Sequence, residues 1–523
     1  MRQADRCALH SWVQHITLTE PSFEDNSGDA DRLHAELARL TGLDFLSLDL
    51  SLIRKLPALL RESGFAAQCS LLRSNNTAAV TGLRSPEDGE AWLGLALDLG
   101  TTRYVLCIVD LRTGDVVARE SFANPQSEIG PDILARIHHA DTAEGLHELQ
   151  ELIISDVNEN TEALCRHQGL HPRQIVNGAL AGNTAMLHLF LGIPPRWMIR
   201  EPYIPGINVP ELVHAKELGL RLGEQARLFC FPNAGSYFGG DLFAGIIASG
   251  MHRREEISIL VDVGTNAEVV LGNKDFLIAC AGAAGPALEG GVSKIGRQAG
   301  PGVIDQVRFD AGSRRFEVHT ISDLEPTGIC GSGVIDLASE LFQAGLLDIR
   351  GKLVPDAALE LFKEIDGVLH LVLVPAEASG TGEDLVIGQP EIDSLIRSKA
   401  AMYTILETIT GSVGIGFEDL STFYVAGTFG NFINPRSAIG IGMLPDIPLQ
   451  RFEPIGNSSL KGAVKVLQEP KAVDEVEAVH KRVTYLELNV NQEFMNTFSA
   501  AKFLPHTERS RFPSVVGARR DRA

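Results

Sequence analysis

The chain has 523 residues, of which 44% are hydrophobic and 22% charged, an ordinary composition for a folded protein of several domains. Its 46 basic and 67 acidic residues give a net charge of −21, which argues against a broad nucleic-acid or membrane-binding surface. No apolar run is long enough to span a bilayer and no apolar signal core follows the first residues, so the sequence predicts a cytoplasmic protein. The seven cysteines are widely spaced and form no zinc or iron–sulfur motif.

The first 90 residues have the pattern of a small α/β unit. A strand, two helices with leucines at helical spacing and two further strands are predicted at 15–18, 33–40, 52–60, 66–72 and 78–83. The segment Ser85–Gly89 that follows is rich in turn residues, which predicts a domain boundary near residue 89.

The remainder of the chain repeats one scheme twice. The first copy predicts three strands joined by short turns, a long helix and a further strand, at 93–99, 104–111, 116–121, 142–166 and 175–181. The second copy predicts the corresponding strands at 257–263, 267–271, 276–281 and 422–426. The repeat indicates a duplicated α/β domain with a cleft between the copies. The arginine-rich tail after Pro505 has no periodicity and is predicted to be disordered.

Two nearly identical turns end the first strand of each copy, and their residues are suited to binding phosphate. Gly100 in the segment Asp98–Thr102 and Gly264 in the segment Asp262–Asn266 let backbone N–H groups approach phosphate oxygens closely. Side-chain donors follow each glycine, namely Thr101, Thr102, Thr265 and Asn266. Asp98 and Asp262 repel phosphate but suit a hydrated Mg²⁺, and one of them can orient an attacking water. A D-x-G turn is common in itself, but its occurrence in both copies favours nucleotide binding.

A third element follows the last predicted strand. Gly427 and Gly430 expose backbone on which a nucleoside can pack. Ser332 and the N–H groups of the predicted helix N-terminus beside it form a further candidate for phosphate contact. The sequence contains no P-loop, no dinucleotide-binding fingerprint after a strand, and no HExxH or GxSxG motif.

Three further residues have two interpretations each. Cys330 is either a nucleophile or, more commonly in such a context, a packed residue at a helix N-terminus. Asp241 either lines the cleft or caps the helix that follows it. His188, in an apolar helix, is expected to be a hydrogen-bonded core residue rather than a ligand.

The order of these motifs resembles that of the actin, sugar-kinase and heat-shock-chaperone (ASKHA) ATPase superfamily. Asp98–Thr102 and Asp262–Asn266 resemble its two phosphate motifs, and Gly427–Gly430 resembles its adenosine motif. Within it the chain is most similar to the ATP-dependent reductive activators of corrinoid proteins. The similar segments are Ala181–Met186, Gly239–Asp241, Ala284–Gly290, Gly328–Gly333, Lys399-Ala400, Ala426–Asn431 and Leu488–Phe494.

The resemblance implies a duplicated ribonuclease-H-like, actin-like ATPase fold with an interdomain cleft that holds ATP and Mg²⁺. It implies a linker at 1–27, a small α/β middle domain at 28–89, ATPase subdomains at 90–256 and 257–505, and a tail at 506–523. Many members carry an N-terminal [2Fe–2S] domain, whereas this chain lacks the four-cysteine run. No iron–sulfur cluster is therefore expected in this chain, and a separate protein is expected to supply the electron.

The resulting hypothesis is an ATPase that supports reduction of Co(II) to Co(I) in the corrinoid protein of a methyltransferase system. Its expected partners are that corrinoid protein and a separate iron–sulfur or flavin protein that donates the electron. Binding to nucleic acid or to a membrane is not expected, and the formation of a homodimer is left open. Asp98 and Asp262 are the expected catalytic and Mg²⁺-binding residues. The alternatives are a small-molecule kinase of the same superfamily, a nucleotide-dependent binding scaffold, and a corrinoid-protein binder that does not use nucleotide.

Overall fold

The computed structural model describes residues 9–42, 45–74, 77–263, 266–283, 294–427, 433–486 and 492–515. The chain divides into two compact units. The first comprises residues 1–250 and 458–482, and the second comprises residues 251–457 and 483–523. The predicted second subdomain, 257–505, therefore differs from the second unit: it includes the segment 458–482, which belongs to the first unit, and it leaves out residues 251–256 and 506–523.

A four-stranded sheet covered by two helices opens the first unit. Leu33 and Leu37 on one helix and Leu56 and Leu60 on the other are buried against the sheet, as their spacing predicts. The strands are β1 (Val13–Thr17), β2 (Phe45–Ser47), β3 (Ala66–Ser74) and β4 (Thr77–Arg84), in the order β1-β3-β4-β2, and the helices are α1 (Asp29–Thr41) and α2 (Leu50–Glu62). Strand β2 was not predicted, because three residues are too few to show an alternating pattern.

The main sheet of the first unit has six strands in the order β7-β6-β5-β8-β10-β9. They are β5 (Leu93–Leu99), β6 (Arg103–Asp110), β7 (Val116–Ala123), β8 (Ile175–Gly182), β9 (Val213–His214) and β10 (Arg227–Cys230). The helices of this region are α3 (Ile133–His139), α4 (Ala143–His167), α5 (Thr184–Leu191) and α6 (Gly240–Ser249). The predicted meander of three antiparallel strands is confirmed, and β8 pairs in parallel with β5.

The second unit contains a six-stranded sheet in the order β21-β20-β11-β12-β13-β22 and two three-stranded sheets, β15-β14-β16 and β17-β18-β19. The strands are β11 (Ser258–Val263), β12 (Asn266–Gly272), β13 (Leu277–Ala283), β14 (Val303–Asp310), β15 (Arg315–Thr320), β16 (Gly328–Ile329), β17 (Phe362–Ile365), β18 (Val368–Val374), β19 (Leu385–Gly388), β20 (Thr422–Ala426), β21 (Phe452–Gly456) and β22 (Val483–Tyr485). The helices after residue 330 are α7 (Gly331–Gln343), α8 (Gln389–Gly411), α9 (Pro435–Gly440), α10 (Ser458–Gln468), α11 (Lys471–Arg482) and α12 (Gln492–Ala501).

Five strands of each six-stranded sheet share one topology, which confirms the predicted duplication, while the sixth strand, β9 or β22, lies at opposite edges of the two sheets. In each, three consecutive strands form an antiparallel meander, and a later strand joins the first of them in parallel. A further parallel strand then extends the sheet, β10 beside β8 and β21 beside β20. Parallel strands require long crossover connections, and the helices between the strands supply them. This is the duplicated ribonuclease-H-like arrangement that the resemblance implies.

Helices α10 and α11 belong to the first unit although they follow β21 of the second unit in the chain. Helix α10 packs closely on α6, because a Cβ atom at Gly462 would lie 2.3 Å from the carbonyl oxygen of Ala244. The indole of Trp12 donates a 2.8 Å hydrogen bond to the carbonyl oxygen of Val466 on the same helix. Because of such long-range contacts, segment 458–482 belongs to the first unit.

The chain end is fixed to helix α8 by a buried lysine. The ammonium group of Lys399 donates hydrogen bonds to the carbonyl oxygens of Phe503 (2.6 Å) and Pro505 (2.7 Å), and its burial lowers its pKa well below the ordinary value. His506 and Phe512 are buried and both contact the ring of Tyr403. The prediction of disorder after residue 505 is therefore wrong for residues 506–515, because a few apolar side chains secure the arginine-rich segment. Residues 516–523 lie outside the described residues.

The cysteines in the described part of the chain are buried free thiols; Cys7 lies outside it. Burial raises the pKa of Cys107 and of Cys165 to about 11, which makes both thiols unreactive at neutral pH. In the part of the chain that the structure describes, no helix is both long and apolar enough to cross a membrane. No group of three or more histidine, cysteine or acidic side chains is placed to hold a metal there either.

Candidate functional site

In each six-stranded sheet an aspartate is the second-last residue of the central strand, β5 or β11. Asp98 on β5 and Asp262 on β11 are half-buried, whereas the strand residues on either side of them are buried. Asp98 lies opposite Ala181 of β8, and Asp262 lies opposite Ala426 of β20. Because parallel strands bring their carboxyl ends to one edge of a sheet, Asp98 lies near Gly182, the last residue of β8, and Asp262 lies near Gly427, which directly follows β20.

The first turn requires glycine at its tightest point. A Cβ atom at Gly100 would lie 2.3 Å from the carbonyl oxygen of Arg103, so no other residue fits without moving the backbone. Thr101 beside it is half-buried and Thr102 is exposed. The turn therefore presents backbone N–H groups and two hydroxyl side chains, as a phosphate-binding turn needs.

Two buried side chains hold this turn in place. The amide of Asn124 donates a 2.9 Å hydrogen bond to the carbonyl oxygen of Gly100. Arg136 donates a 2.7 Å hydrogen bond from Nη2 to the carbonyl oxygen of Thr101 and a second, from Nε, to that of Gly130. Burial lowers the pKa of the Arg136 guanidinium to about 10, so it remains charged at neutral pH. Neither residue was predicted, since neither lies in a recognisable motif.

A third contact ties the turn to the start of helix α5. Asn183 caps that helix by accepting a hydrogen bond from the N–H of Met186, and its amide donates a 3.2 Å hydrogen bond to the hydroxyl of Thr101. Gly239 packs against the same point, because a Cβ atom there would lie 2.6 Å from the Cα of Asn183. Asp241 lies inside the first turn of α6, whose N-cap is Gly239, so it is not the cap of this helix; its carboxylate accepts a hydrogen bond from the N–H of Leu242.

Asp98 is contacted by a residue far away in the sequence. The hydroxyl of Ser459, in the first turn of α10, donates a 2.7 Å hydrogen bond to Oδ1 of Asp98 across 361 positions. This charge-assisted hydrogen bond fixes the orientation of the carboxylate. Ser459 could not be predicted from its sequence neighbours, because a serine early in a helix ordinarily indicates only a cap.

The second turn is described in part. Gly427 has φ = +81°, and a Cβ atom there would lie 2.9 Å from Oδ1 of Asp262, so the glycine and the carboxylate form one compact group. Gly264, Thr265 and Gly430 lie outside the described residues, and Asn266 is described only as the first residue of β12.

Ser332 lies in the first turn of α7 and is buried. Its hydroxyl contacts the Sγ of Cys330 at 3.0 Å. Gly333 fixes the helix start against β14, since a Cβ atom there would lie 2.6 Å from the carbonyl oxygen of Ile304. A phosphate contact from Ser332 stays a prediction, and the arrangement favours the packing interpretation of Cys330.

The two aspartates suit magnesium by their chemistry. Mg²⁺ prefers carboxylate and water oxygens and is held in nucleotide sites through one or two carboxylates. Asp98 is oriented by a hydroxyl donor, and Asp262 lies against the open backbone of Gly427. Both carboxylates can thus receive the ordered waters of a hydrated cation.

Substituting Ser459 with alanine is expected to lower the rate of ATP turnover about 10-fold, because the Asp98 carboxylate loses a charge-assisted hydrogen bond of roughly 1.5 kcal/mol. Steady-state ATP hydrolysis measures the effect. The control is Ser458→Ala, in which the adjacent serine of the same helix is changed. Equal rates for Ser459→Ala and the wild-type chain would show that the contact with Asp98 has no catalytic role.

His188 on α5 is fully hydrogen-bonded, as predicted for a core residue. Its Nδ1 lies 2.7 Å from the carbonyl oxygen of Thr184 and therefore carries the proton, while Nε2 accepts hydrogen bonds from the N–H groups of Gly206 (3.0 Å) and Ile207 (3.3 Å). Burial lowers the pKa of His188 below its ordinary value of 6.5. Protonation would place an N–H group on Nε2, where it would face the backbone N–H groups of Gly206 and Ile207. The folded protein therefore requires the neutral form of His188.

The free energy of unfolding is therefore expected to fall as the pH drops below 6.5, where the unfolded chain binds a proton that folded His188 resists. The slope from this residue is at most about 1.4 kcal/mol per pH unit. Urea unfolding of the wild-type chain and of His188→Gln, at pH 7.5 and 5.5, isolates the contribution, because other histidines are common to both proteins. If the difference between the two proteins did not change with pH, His188 would not be the neutral residue that its contacts require.

Comparison with known proteins agrees with this geometry. Residues 256–516 match the C-terminal domain of RACo, described as the ASKHA domain; residues 93–254 match the RACo middle region and residues 9–90 the RACo linker region. The duplicated sheets with their paired acidic turns thus define an ASKHA-type, actin-like ATPase fold. The chain belongs to the RACo family of reductive activators of corrinoid proteins.

Individual relatives support this assignment. A solved structure entitled reductive activator for corrinoid, iron-sulfur protein aligns with a TM-score of 0.85 and 36% identity, covering 98% of this chain and 82% of that chain. The corrinoid activation enzyme RamQ of Eubacterium limosum is 29% identical over 413 residues, 77% of this chain and 69% of that protein. A Co(II) methylated amine-specific corrinoid protein reductase of Methanosarcina barkeri is 23% identical over 441 residues, 77% of this chain and 76% of its own length.

Proposed function

We propose that this chain couples the binding and hydrolysis of ATP to the reduction of Co(II) to Co(I) in a corrinoid protein. The observation that carries the proposal is a RACo family chain in which each six-stranded sheet has an aspartate near the end of its central strand, opposite the last residues of a parallel strand. The reduction adds one electron to the cobalt, and we propose that a separate iron–sulfur or flavin protein donates it. ATP and water give ADP and phosphate in a separate step.

The proposed roles of the residues follow from their chemistry. The turns after Asp98 and Asp262 bind phosphate oxygens through backbone N–H groups and through the side chains of Thr101, Thr102, Thr265 and Asn266. Gly264 lets the backbone of the second turn approach them. Asp98 and Asp262 hold Mg²⁺ through water, and one of them orients the attacking water. Bound magnesium neutralises charge that develops on the phosphates. Gly427 and Gly430 contact the nucleoside.

The coupling has a simple thermodynamic form. A partner that binds the Co(I) state of the corrinoid protein more tightly than the Co(II) state raises the reduction potential by ~59 mV for each tenfold preference. A thousandfold preference therefore provides roughly 180 mV, or about 4 kcal/mol. Nucleotide binding and hydrolysis would form and then release this tight complex.

The test is an anaerobic absorption spectrum of a Co(II) corrinoid protein with reductant, ATP, Mg²⁺ and this chain, each omitted in turn. The Co(I) spectrum is expected only when all components are present. Co(I) formation at the same rate without ATP would contradict the nucleotide dependence. Transfer of labelled phosphate from ATP to a metabolite would instead favour a small-molecule kinase.

A further inference from the structure

The segment after helix α5 displays large apolar side chains in an unusual concentration. Trp197, Tyr203 and Ile204 are 59%, 46% and 60% exposed within eight positions of the chain. Exposed apolar residues normally occur singly on folded proteins, and a group of them indicates an interaction surface. We call these three residues the 197–204 patch.

The patch has a defined conformation. Tyr203 has φ = +62°, a backbone conformation that costs a residue with a side chain about 1 kcal/mol or more. Its N–H donates to the carbonyl oxygen of Arg200, and its own carbonyl oxygen accepts a 2.6 Å hydrogen bond from the hydroxyl of Ser236. Its ring contacts that of Tyr237 at 6.4 Å between centroids. The strained backbone is thus held by specific contacts, which pre-organise the exposed ring.

Charged groups flank Trp197. The guanidinium groups of Arg196 and Arg200 lie 5.5 and 5.8 Å from the centre of the Trp197 ring, and both pair with Asp141. Glu201 is exposed beside them. An apolar centre with a charged rim is the usual anatomy of a protein–protein interface, and tryptophan, tyrosine and arginine are the residues that most often dominate its affinity.

Hydrogen bonds connect the patch to the first phosphate turn within the same unit. Thr101 in the turn is bonded to Asn183 at the start of α5, and His188 further along α5 accepts from the backbone of Gly206 and Ile207, just beyond the patch. Thr184 of α5 also donates a 3.1 Å hydrogen bond to the carbonyl oxygen of Gly235, next to Ser236.

A second route passes through helix α3. Arg136 contacts the carbonyl oxygen of Thr101, and Asp141 just after the same helix pairs with Arg196 and Arg200 of the rim. Two short paths of hydrogen-bonded and ion-paired groups thus join the phosphate turn to the patch.

We propose that the 197–204 patch is where the corrinoid protein docks, and that helix α5 carries the nucleotide state of the first phosphate turn to this surface. This inference rests on the proposed function and adds the location of the partner. It explains why an aromatic surface is built on the elements that hold the phosphate turn: binding of ATP and binding of the corrinoid protein then alter one common set of contacts.

The first test measures the affinity of the full chain for the Co(II) corrinoid protein that it reactivates, by titration calorimetry under anaerobic conditions. Trp197→Ala and Ile204→Ser are each expected to weaken binding about 10- to 30-fold, since truncated central side chains usually dominate an interface. Basal ATP hydrolysis is expected to stay unchanged. The matched control is Leu50→Ala, which removes a 59% exposed side chain from the small sheet region of the same unit. Unchanged affinity in both patch variants would overturn the proposal.

The second test uses the position of the three tryptophans. Trp12 and Trp92 are fully buried and Trp197 is exposed, so 5-fluorotryptophan incorporated into this chain alone reports on the patch. Adding the unlabelled corrinoid protein is expected to shift or broaden the fluorine resonance of Trp197 and to leave the other two in place. The Trp197→Phe variant assigns the signal. An unperturbed Trp197 resonance in a complex that forms would place the partner elsewhere.

The third test addresses the coupling. A non-hydrolysable ATP analogue is expected to change the affinity of the wild-type chain for the corrinoid protein, and His188→Gln is expected to reduce that change while both ligands still bind singly. An identical nucleotide effect in the variant would contradict the role of α5. If the wild-type chain neither bound nor reactivated any corrinoid protein, the proposed function would fail; if it did both and the patch variants matched it, only this inference would fail.

Discussion

Replacement of Asp262 with asparagine is expected to lower ATP turnover about 1000-fold, equivalent to ~4 kcal/mol of activation free energy. The substitution keeps the shape of the side chain and removes the negative charge that we assign to Mg²⁺ and to the attacking water. Strand β11 is expected to remain intact, because the backbone pairs Asp262 with Glu268 on one side and Ala426 on the other. The rate of ATP hydrolysis and the thermal unfolding temperature test the two expectations separately.

The matched control for this experiment is Asp275→Asn. Asp275 is an exposed aspartate of the same unit, in the turn between β12 and β13, so the change removes the same charge away from the proposed site. It is expected to leave ATP turnover within about twofold of the wild-type rate. If Asp262→Asn hydrolysed ATP as fast as Asp275→Asn, the assignment of the second acidic turn would be wrong.

Replacement of Gly462 with alanine is expected to destabilise the first unit by about 2–3 kcal/mol and to reduce ATP turnover at the same time. The added methyl group would lie 2.3 Å from the carbonyl oxygen of Ala244, so helix α10 must move away from α6. Ser459 lies one turn earlier on α10 and would move away from Asp98 with it. Urea unfolding and steady-state ATP hydrolysis measure the two effects.

The sign of the stability change makes this prediction decisive. In an unpacked helix the exchange of glycine for alanine stabilises by about 1 kcal/mol. The neighbouring substitution Lys461→Ala, at an exposed position of the same helix, is expected to change stability by less than about 0.5 kcal/mol. A Gly462→Ala protein that was more stable than the wild type would show that α10 does not pack on α6 through this glycine.

Local patterns in the sequence predicted the elements that position the site. Strands with continuous apolar runs, such as β5 and β11, stand out because both faces are buried. A glycine in such a turn is informative because no other residue fits there. At Gly100 a Cβ atom would lie 2.3 Å from the carbonyl oxygen of Arg103. The repeat of Asp98 and Asp262 at equivalent strand ends then predicted the duplicated fold, which the five corresponding strands of the two sheets confirm.

The residues that support the site could not be predicted in the same way. Arg136 and Asn124 contact the first turn through side chains whose own neighbours in the sequence carry no motif. The short strands β16 and β22 were also not predicted, since two or three residues show no period. The exposed aromatic group around Trp197 was not recognised, because the sequence does not show which apolar side chains remain uncovered.

The sequence by itself determined the class of fold, the two acidic turns and the likeness to corrinoid-protein activators, because each depends on residues adjacent in the chain. Only the tertiary structure decided that segment 458–482 belongs to the first unit, that Ser459 orients Asp98, and that residues 506–515 are fixed by Lys399 and Tyr403. The physical reason is that these contacts join positions about a hundred or more residues apart. Their free energy comes from close packing and buried hydrogen bonds, which depend on three-dimensional proximity and leave no periodic trace in the sequence.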